Sequence, residues 1–102
     1  MGEFVEHIGD YRLHDARILS FEHNDQSVEV TLKSIDDDSL KISFYGVKEV
    51  DNHNCVKMIL YSIAEFQEEN NERRFVFVNW DEEDDSKLEI VAEDYKIIPS
   101  RK

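Results

Sequence analysis

The strict alternation of apolar and polar residues over Val28–Lys33, sequence VEVTLK, is the feature that most constrains the fold. Successive side chains of a β-strand point to opposite faces, so this segment has one face to bury and one to expose to water. Arg17–His23 precedes it, with the larger apolar residues Leu19 and Phe21 at a spacing of two. The turn-forming pair Asn24-Asp25 separates the two segments, which together predict a β-hairpin.

The same alternation resumes after the acidic loop Asp36–Asp38. Leu40–Tyr45 again places apolar residues at every second position, and Gly46 marks a bend or bulge at its end. We therefore expect a three-stranded antiparallel meander over about residues 16–47.

Two further strands and a short last one are expected in the final third of the chain. Phe75–Trp80 is apolar on both faces, which is typical of a central strand whose second side is covered by a helix or by the N-terminal segment. The acidic run Asp81–Asp85 makes the next turn and Leu88–Ala92 follows as a strand. Tyr95–Ile98 forms a short last strand that Pro99 ends.

The segment between Asn54 and Glu69 fits either a helix or a strand. Five of its apolar residues fall at helical spacings: Val56, Ile59, Leu60, Ile63 and Phe66. As a strand, it would place Ile59, Tyr61 and Ile63 on one face. We favour the helix, because the residues Ala64–Glu69 at the end of the segment favour helix.

These elements predict an α+β protein that is predominantly antiparallel β-sheet, a meander of about five to six strands with at most one or two helices. The chain has 102 residues, 40% of them hydrophobic. This length and composition suit one domain, residues 1–102, with one core.

Acidic residues outnumber basic ones by 24 to 12, giving a formal net charge of −12. Such a charge repels nucleic acids and anionic membrane surfaces and attracts basic proteins. The single cysteine, Cys55, cannot form an internal disulfide, and the first residues carry no basic region followed by an apolar run. We therefore expect a cytoplasmic protein that binds neither nucleic acid nor membrane.

Two short constellations suggest chemistry. Adjacent His14 and Asp15 would suit a metal-dependent phosphohydrolase, but such a site also needs several ligands from other elements. A structural role at a strand entrance is favoured instead. His53 and Cys55 suggest a thiol nucleophile with its base, but residues this close in sequence seldom adopt the required geometry. We expect no enzyme activity, no cofactor and no metal, and keep a small metal-dependent hydrolase using His14 and Asp15 as a less favoured alternative.

The distribution of charge is the most informative functional signal. Between Glu65 and Asp94 there are twelve acids and three bases, so this stretch carries −9 of the formal −12. Acidic groups accelerate encounter with a basic partner, and an aromatic anchor slows its release. A solvated face that keeps a small protein soluble explains the same pattern. The predicted partner-binding residues combine the acids with the one tryptophan: Glu68, Glu69, Trp80, Asp81, Glu82, Glu83, Asp84 and Asp85.

Three segments in the first half of the chain resemble small bacterial immunity proteins of polymorphic toxin systems. They are Leu13–Phe21 with its HDA strand entrance, the hairpin strand Val28–Leu32, and Ile42–Val47, which ends in FYGV. The resemblance implies a non-enzymatic antitoxin that binds a cognate toxin and blocks its active site. It also implies that many of the targets are nucleases with basic substrate grooves, and it leaves His14 and Asp15 as structural residues.

Two binding hypotheses follow. The first is an immunity-type inhibitor whose acidic face occludes a basic toxin domain. The second is a self-associating structural module that pairs through an exposed sheet edge as a homodimer.

Overall fold

The computed structural model describes residues 3–8, 13–81 and 83–100. Its strands form two sheets in which every ladder is antiparallel. The strands are β1 (Glu3–His7), β2 (Arg17–His23), β3 (Ser27–Lys33), β4 (Ser39–Tyr45), β5 (Glu49–His53), β6 (Leu60–Gln67), β7 (Arg73–Asn79), β8 (Lys87–Ala92) and β9 (Asp94–Ser100). The larger sheet has the order β1-β6-β7-β8-β5 and the smaller has the order β2-β3-β4-β9.

The inner faces of the two sheets share one hydrophobic core. The ring of Phe44 on β4 lies 5.0 Å from that of Phe75 and 5.9 Å from that of Phe77, both on β7, so the core spans the space between the sheets. All three side chains are almost completely buried. Each contributes about 1.5–3 kcal/mol by leaving water, which makes this aromatic cluster a main source of stability.

The ladder between β4 and β9 continues around a corner into the ladder between β5 and β8. Glu93 N–H donates to Tyr45 O (3.0 Å) and Lys48 N–H donates to Val91 O (2.7 Å), so pairing persists through the bend. Gly46 at the corner has φ +62°, and a Cβ there would collide with the Glu93 side chain. The bend predicted at Gly46 therefore depends on glycine for its positive φ, whereas the exposed Glu93 side chain can move aside.

A second seam joins the sheets where β2 begins. Ile18 N–H donates to Met58 O (3.0 Å) and Leu60 N–H donates to Ala16 O (2.8 Å). Residues 59–67 run from this seam through β6. The start of β2 pairs with the beginning of that segment at Ile59, and β1 pairs with its later part on the same side. The seam thus holds the two sheets together opposite the Gly46 corner.

The predicted hairpin and meander are confirmed as β2, β3 and β4, and the dominance of antiparallel sheet is confirmed as well. The helical part of the predicted α+β fold is wrong for the described part of the chain, which contains no α-helix and has 3₁₀ conformation only at Leu13 and in the turn Glu69–Asn71. None of its helices is therefore long and apolar enough to cross a membrane.

The segment expected to be helical forms β6, and a β-bulge explains the misleading pattern. The register with β7 shifts between Leu60 and Ser62. The extra residue lets Leu60 and Ile63 both face the core at a spacing of three, which imitates helical periodicity. Tyr61, placed on the Ile63 face by the strand alternative, is instead 53% exposed.

The last strand is longer than expected, since β9 runs through Pro99 to Ser100. Among the strands that the structure describes, it pairs with β4 alone and forms the edge of its sheet. An edge strand tolerates proline because one side of it needs no backbone donor. Strands β1 and β5, which were not predicted, form the two edges of the larger sheet.

Candidate protein-binding face

The predicted partner-binding residues lie at opposite ends of the larger sheet. Glu68 and Glu69 are in the β6–β7 turn, whereas Trp80 and the acids that follow it are in the β7–β8 turn. The seven residues of β7 separate these turns by about 20 Å. The described members of the set therefore form two clusters, and Glu82 lies outside the described residues.

Hydrogen bonds fix the shape of the β7–β8 turn. Glu83 N–H donates to Asp81 Oδ1 (3.0 Å), and Asn79 Nδ2 donates to Asp84 Oδ2 (3.1 Å). Hydrogen bonds from Asn79 and from both the backbone and the hydroxyl of Ser86 lower the pKa of Asp84. Asp81 and Asp84 thus order the turn, and these hydrogen bonds favour the charged form of Asp84.

Exposed apolar groups adjoin this acidic turn. Trp80 is 58% exposed, and its backbone N–H donates to Ile59 O (2.9 Å). Tyr61, near the start of strand β6, is 53% exposed. A large exposed aromatic side chain beside charged residues is the composition of a binding hot spot, because it offers much area at little cost in conformational entropy.

The other end of the sheet is a concavity of about 680 Å³, which we call the acidic bowl. It is lined by five carboxylates and two cations, together with Gln67 and Val91: Glu3, Glu49, Glu68, Glu69, Glu72, Lys48 and Arg74. The bowl thus carries an excess of three negative charges. The prediction from sequence included only Glu68 and Glu69. Glu72 belongs to the same turn, whereas Glu3 and Glu49 come from the edge strands β1 and β5.

Arg74 organises the floor of the bowl. Its guanidinium lies 3.3 Å from Glu68, 3.1 Å from Glu89 and 3.5 Å from Glu49. Burial opposes the charged form of Arg74, but hydrogen bonds to Glu89 and Glu68 and their negative charges outweigh that effect and raise its pKa. Arg74 stays cationic and holds three carboxylates from three elements in place.

Between the two ends, the outer face of the larger sheet has an apolar centre. Val76 and Val78 on β7 alternate with the buried Phe75 and Phe77 and are only half-buried. Across the ladders Val76 lies beside Ala64 and Glu89, and Val78 lies beside Ser62, so the apolar centre is narrow. Farther along the face, Phe4 on β1 packs edge-to-face on Phe66, with ring centroids 5.6 Å apart. Among the described residues, no helix covers this face, and the N-terminal segment extends the sheet as β1 instead of covering it.

One buried ion pair lies on the inner side of the same sheet. Glu65 is 4% exposed, and its Oε2 lies 3.3 Å from Arg73 Nη1. The second arm of Arg73 binds Asp94 Oδ1 at 2.8 Å, and the guanidinium lies 5.8 Å from the ring centroids of both Phe75 and Tyr95. These contacts connect the two sheets, which indicates a structural role for the pair.

His14 and Asp15 lie at the seam between the sheets. His14 Nδ1 is 3.0 Å from Tyr61 O, and Asp15, with φ +65°, donates its N–H to Leu60 O (2.8 Å). Within residues 3–8, 13–81 and 83–100, no three or more His, Cys, Asp or Glu side chains form a group that could hold a metal ion. The geometry accounts for both residues as parts of the seam.

Cys55 is buried, and its backbone N–H donates to Asn52 Oδ1 (3.2 Å). Burial raises the pKa of its thiol, against a smaller lowering effect of a backbone hydrogen bond. His53, the base suggested by sequence, is an exposed residue of β5. The environment of Cys55 therefore favours an inert thiol over a nucleophilic thiolate.

Comparison with known proteins adds no family assignment, because no family model, no curated protein and no solved structure matches this chain.

Proposed function

We propose that this protein is a non-enzymatic binding protein, an immunity-type inhibitor that blocks a basic toxin domain. The observation that carries the proposal is the 58% exposure of Trp80 directly beside the acidic turn. Hydrogen bonds through Asp81 and Asp84 order that turn before any partner arrives. A preorganised surface avoids much of the entropy cost of binding.

The electrostatics support a basic partner. Glu83 and Asp85 are exposed in the turn, and the chain as a whole carries a formal charge of −12. Such a field accelerates encounter with a positively charged groove, and carboxylates compete there with the phosphates of a nucleic-acid substrate. This chemistry fits a toxin that acts on nucleic acid, the target class that the resemblance to immunity proteins implies.

At the two edges of the larger sheet, charged side chains oppose homodimer formation by strand pairing. Edge strand β1 carries Glu3 and Glu6, and edge strand β5 carries Glu49 and Asp51. Charged side chains on edge strands oppose the pairing of one copy with another. We therefore give the self-associating module the second place.

The proposal is tested by recovering the partner and measuring its affinity. The tagged protein is used in pull-downs from the source cell at low and moderate salt, and the recovered protein is assayed for toxicity and for inhibition by this chain. We expect a basic toxin domain that is released at moderate salt. Recovery of only the protein itself would favour the self-associating module.

Substitutions then locate the site on this protein. Trp80→Ala is expected to weaken binding by about 30-fold or more, the effect of losing a hot-spot aromatic residue. Glu83→Lys with Asp85→Lys is expected to slow association at low salt. The matched control is Glu22→Lys with Asp25→Lys, which reverses two exposed charges near the far end of the smaller sheet. Unchanged affinity and association rate in both test variants would refute the proposed site.

A further inference from the structure

We infer that the docking surface is the whole outer face of the larger sheet, and that its partner presents an apolar centre between two basic clusters about 20 Å apart. This inference rests on the proposed function and adds to it the layout of the partner. It unites the acidic bowl, the apolar centre and the Trp80 turn in a single site.

Strand β7 provides the axis of this site. Arg74, Val76 and Val78 face outward, since Phe75 and Phe77 between them are buried in the core. The same alternation places Trp80 next in the outward row, immediately after the strand ends. The row therefore runs from the floor of the acidic bowl to the acidic turn.

The face has the size and composition of an interface centre. Five strands at a spacing of about 4.8 Å and a length of about 20 Å give an area on the order of 400 Å². This is about half of the ~800 Å² that each partner buries in a standard interface. Specific interfaces combine an apolar centre with a polar rim, as Val76 and Val78 do here with the carboxylates at the two ends.

Charge determines what can cover this face. The bowl has an excess of three carboxylates, and the described part of the turn adds Asp81, Glu83, Asp84 and Asp85. A second copy stacked on the face would bring acidic clusters together at both ends, which costs free energy. On the smaller sheet, Lys33 and Lys41 lie within 4.0 Å of acids of their own, Asp37 and Glu29. The complementary occupant is thus a different protein with basic groups at both ends.

Synthetic peptides test this layout directly. The bipartite probe is a ten-residue peptide with a Lys-Arg pair at each end and six alternating Thr and Val residues between them, which span about 20 Å when extended. The control peptide has the same composition with all four basic residues at one end. Trp80 is the only tryptophan of the chain, so its fluorescence reports occupancy of this face.

The bipartite peptide is expected to bind about tenfold more tightly than the one-sided peptide, because it engages both acidic clusters. Removing two charges from either cluster should weaken its binding by about fivefold. The pairs are Glu3→Gln with Glu69→Gln in the bowl and Glu83→Gln with Asp85→Asn in the turn. Glu22→Gln with Glu29→Gln, a cross-strand pair on the outer face of the smaller sheet, should leave the affinity unchanged.

The outcomes separate this inference from the proposed function. Equal affinity for the two peptides, with both weakened by the Glu83 and Asp85 substitutions, would overturn the two-ended layout and leave the proposed function standing. Lack of saturable binding, or binding that neither pair of substitutions weakens, would also overturn the two-ended layout. The proposed function would then still be tested by inhibition of the recovered toxin. Self-association that buries Trp80 in sedimentation and quenching experiments would replace the hetero-partner with a second copy.

Discussion

Replacing Arg73 by methionine is expected to destabilise the fold severely, because it leaves the buried carboxylate of Glu65 without its cation. The Glu65 side chain is 6% exposed, whereas that of Arg73 is 25% exposed. Methionine keeps most of the apolar stem that packs near Phe75 and Tyr95, so the substitution mainly removes the charge and its hydrogen bonds.

The expected magnitude follows from the burial of this pair. Removing one partner of a buried ion pair costs about 3–5 kcal/mol. The contact with Asp94, whose side chain is 69% exposed, adds little to that figure. With a urea m-value of about 1.5 kcal/mol per molar, the loss would lower the unfolding midpoint by about 2 M or more.

Urea unfolding of a double-mutant cycle tests the assignment. Glu65→Gln removes the buried charge, so the variant with both substitutions should be more stable than the sum of the single effects predicts, by about 2 kcal/mol. The matched control is Lys87→Met, which breaks an ion pair with Asp51 in which both side chains are more than half exposed, and no resolvable change is expected. A small effect of Arg73→Met, or strict additivity in the cycle, would show that Glu65 does not depend on Arg73 for its stability in the core.

Three further predictions concern stability and reactivity. Burial, followed by the charges of Glu65 and Glu6, raises the pKa of Tyr95 above its ordinary value of 10.0, so the folded state holds this proton more tightly than the unfolded chain does. The stability that this shift contributes is present below about pH 10 and is lost as pH rises through the raised pKa of the folded state. An ultraviolet titration should show a late-titrating phenol that Tyr95→Phe removes. Cys55 should react with a thiol reagent only as the protein unfolds, and rapid labelling of the native state would contradict its burial. Gly46→Ala should lower the free energy of unfolding in urea by about 1–2 kcal/mol, because residue 46 has a positive φ. Adding Glu93→Ala, which removes the side chain that a Cβ would meet, should not restore this stability. Full restoration would show that the steric conflict alone matters.

The sequence predicted the regular part of the sheets and failed where strands contain bulges. Every residue of Val28–Lys33 has a partner on both sides and this strand has no inserted residue of its own, so its alternation matches its burial residue by residue. On β2, the register shifts between Ile18 and Ser20, which turns Ile18 inward and leaves Leu19 44% exposed. A single inserted residue moves all later side chains to the other face, and nothing in the local pattern marks its position.

The candidate site was predictable in composition but not in arrangement. Counting charges identified the acidic last third of the chain and Trp80. The acidic bowl, however, also takes Glu3 from β1 and Glu49 from β5, which are 46 positions apart in sequence and lie on the two edges of one sheet. Their meeting depends on strand order, which pattern and composition do not determine.

The most direct test of the docking face is the footprint of the recovered toxin domain on isotope-labelled protein, measured by NMR chemical shifts. We expect the resonances of the Trp80 indole N–H and of the backbone amides of residues 83–86 and 68–74 to shift on binding. Thr31 and Lys41, on the outer face of the smaller sheet, should stay unchanged. A footprint centred on Thr31 and Lys41, with Trp80 unaffected, would place the docking face on the smaller sheet instead.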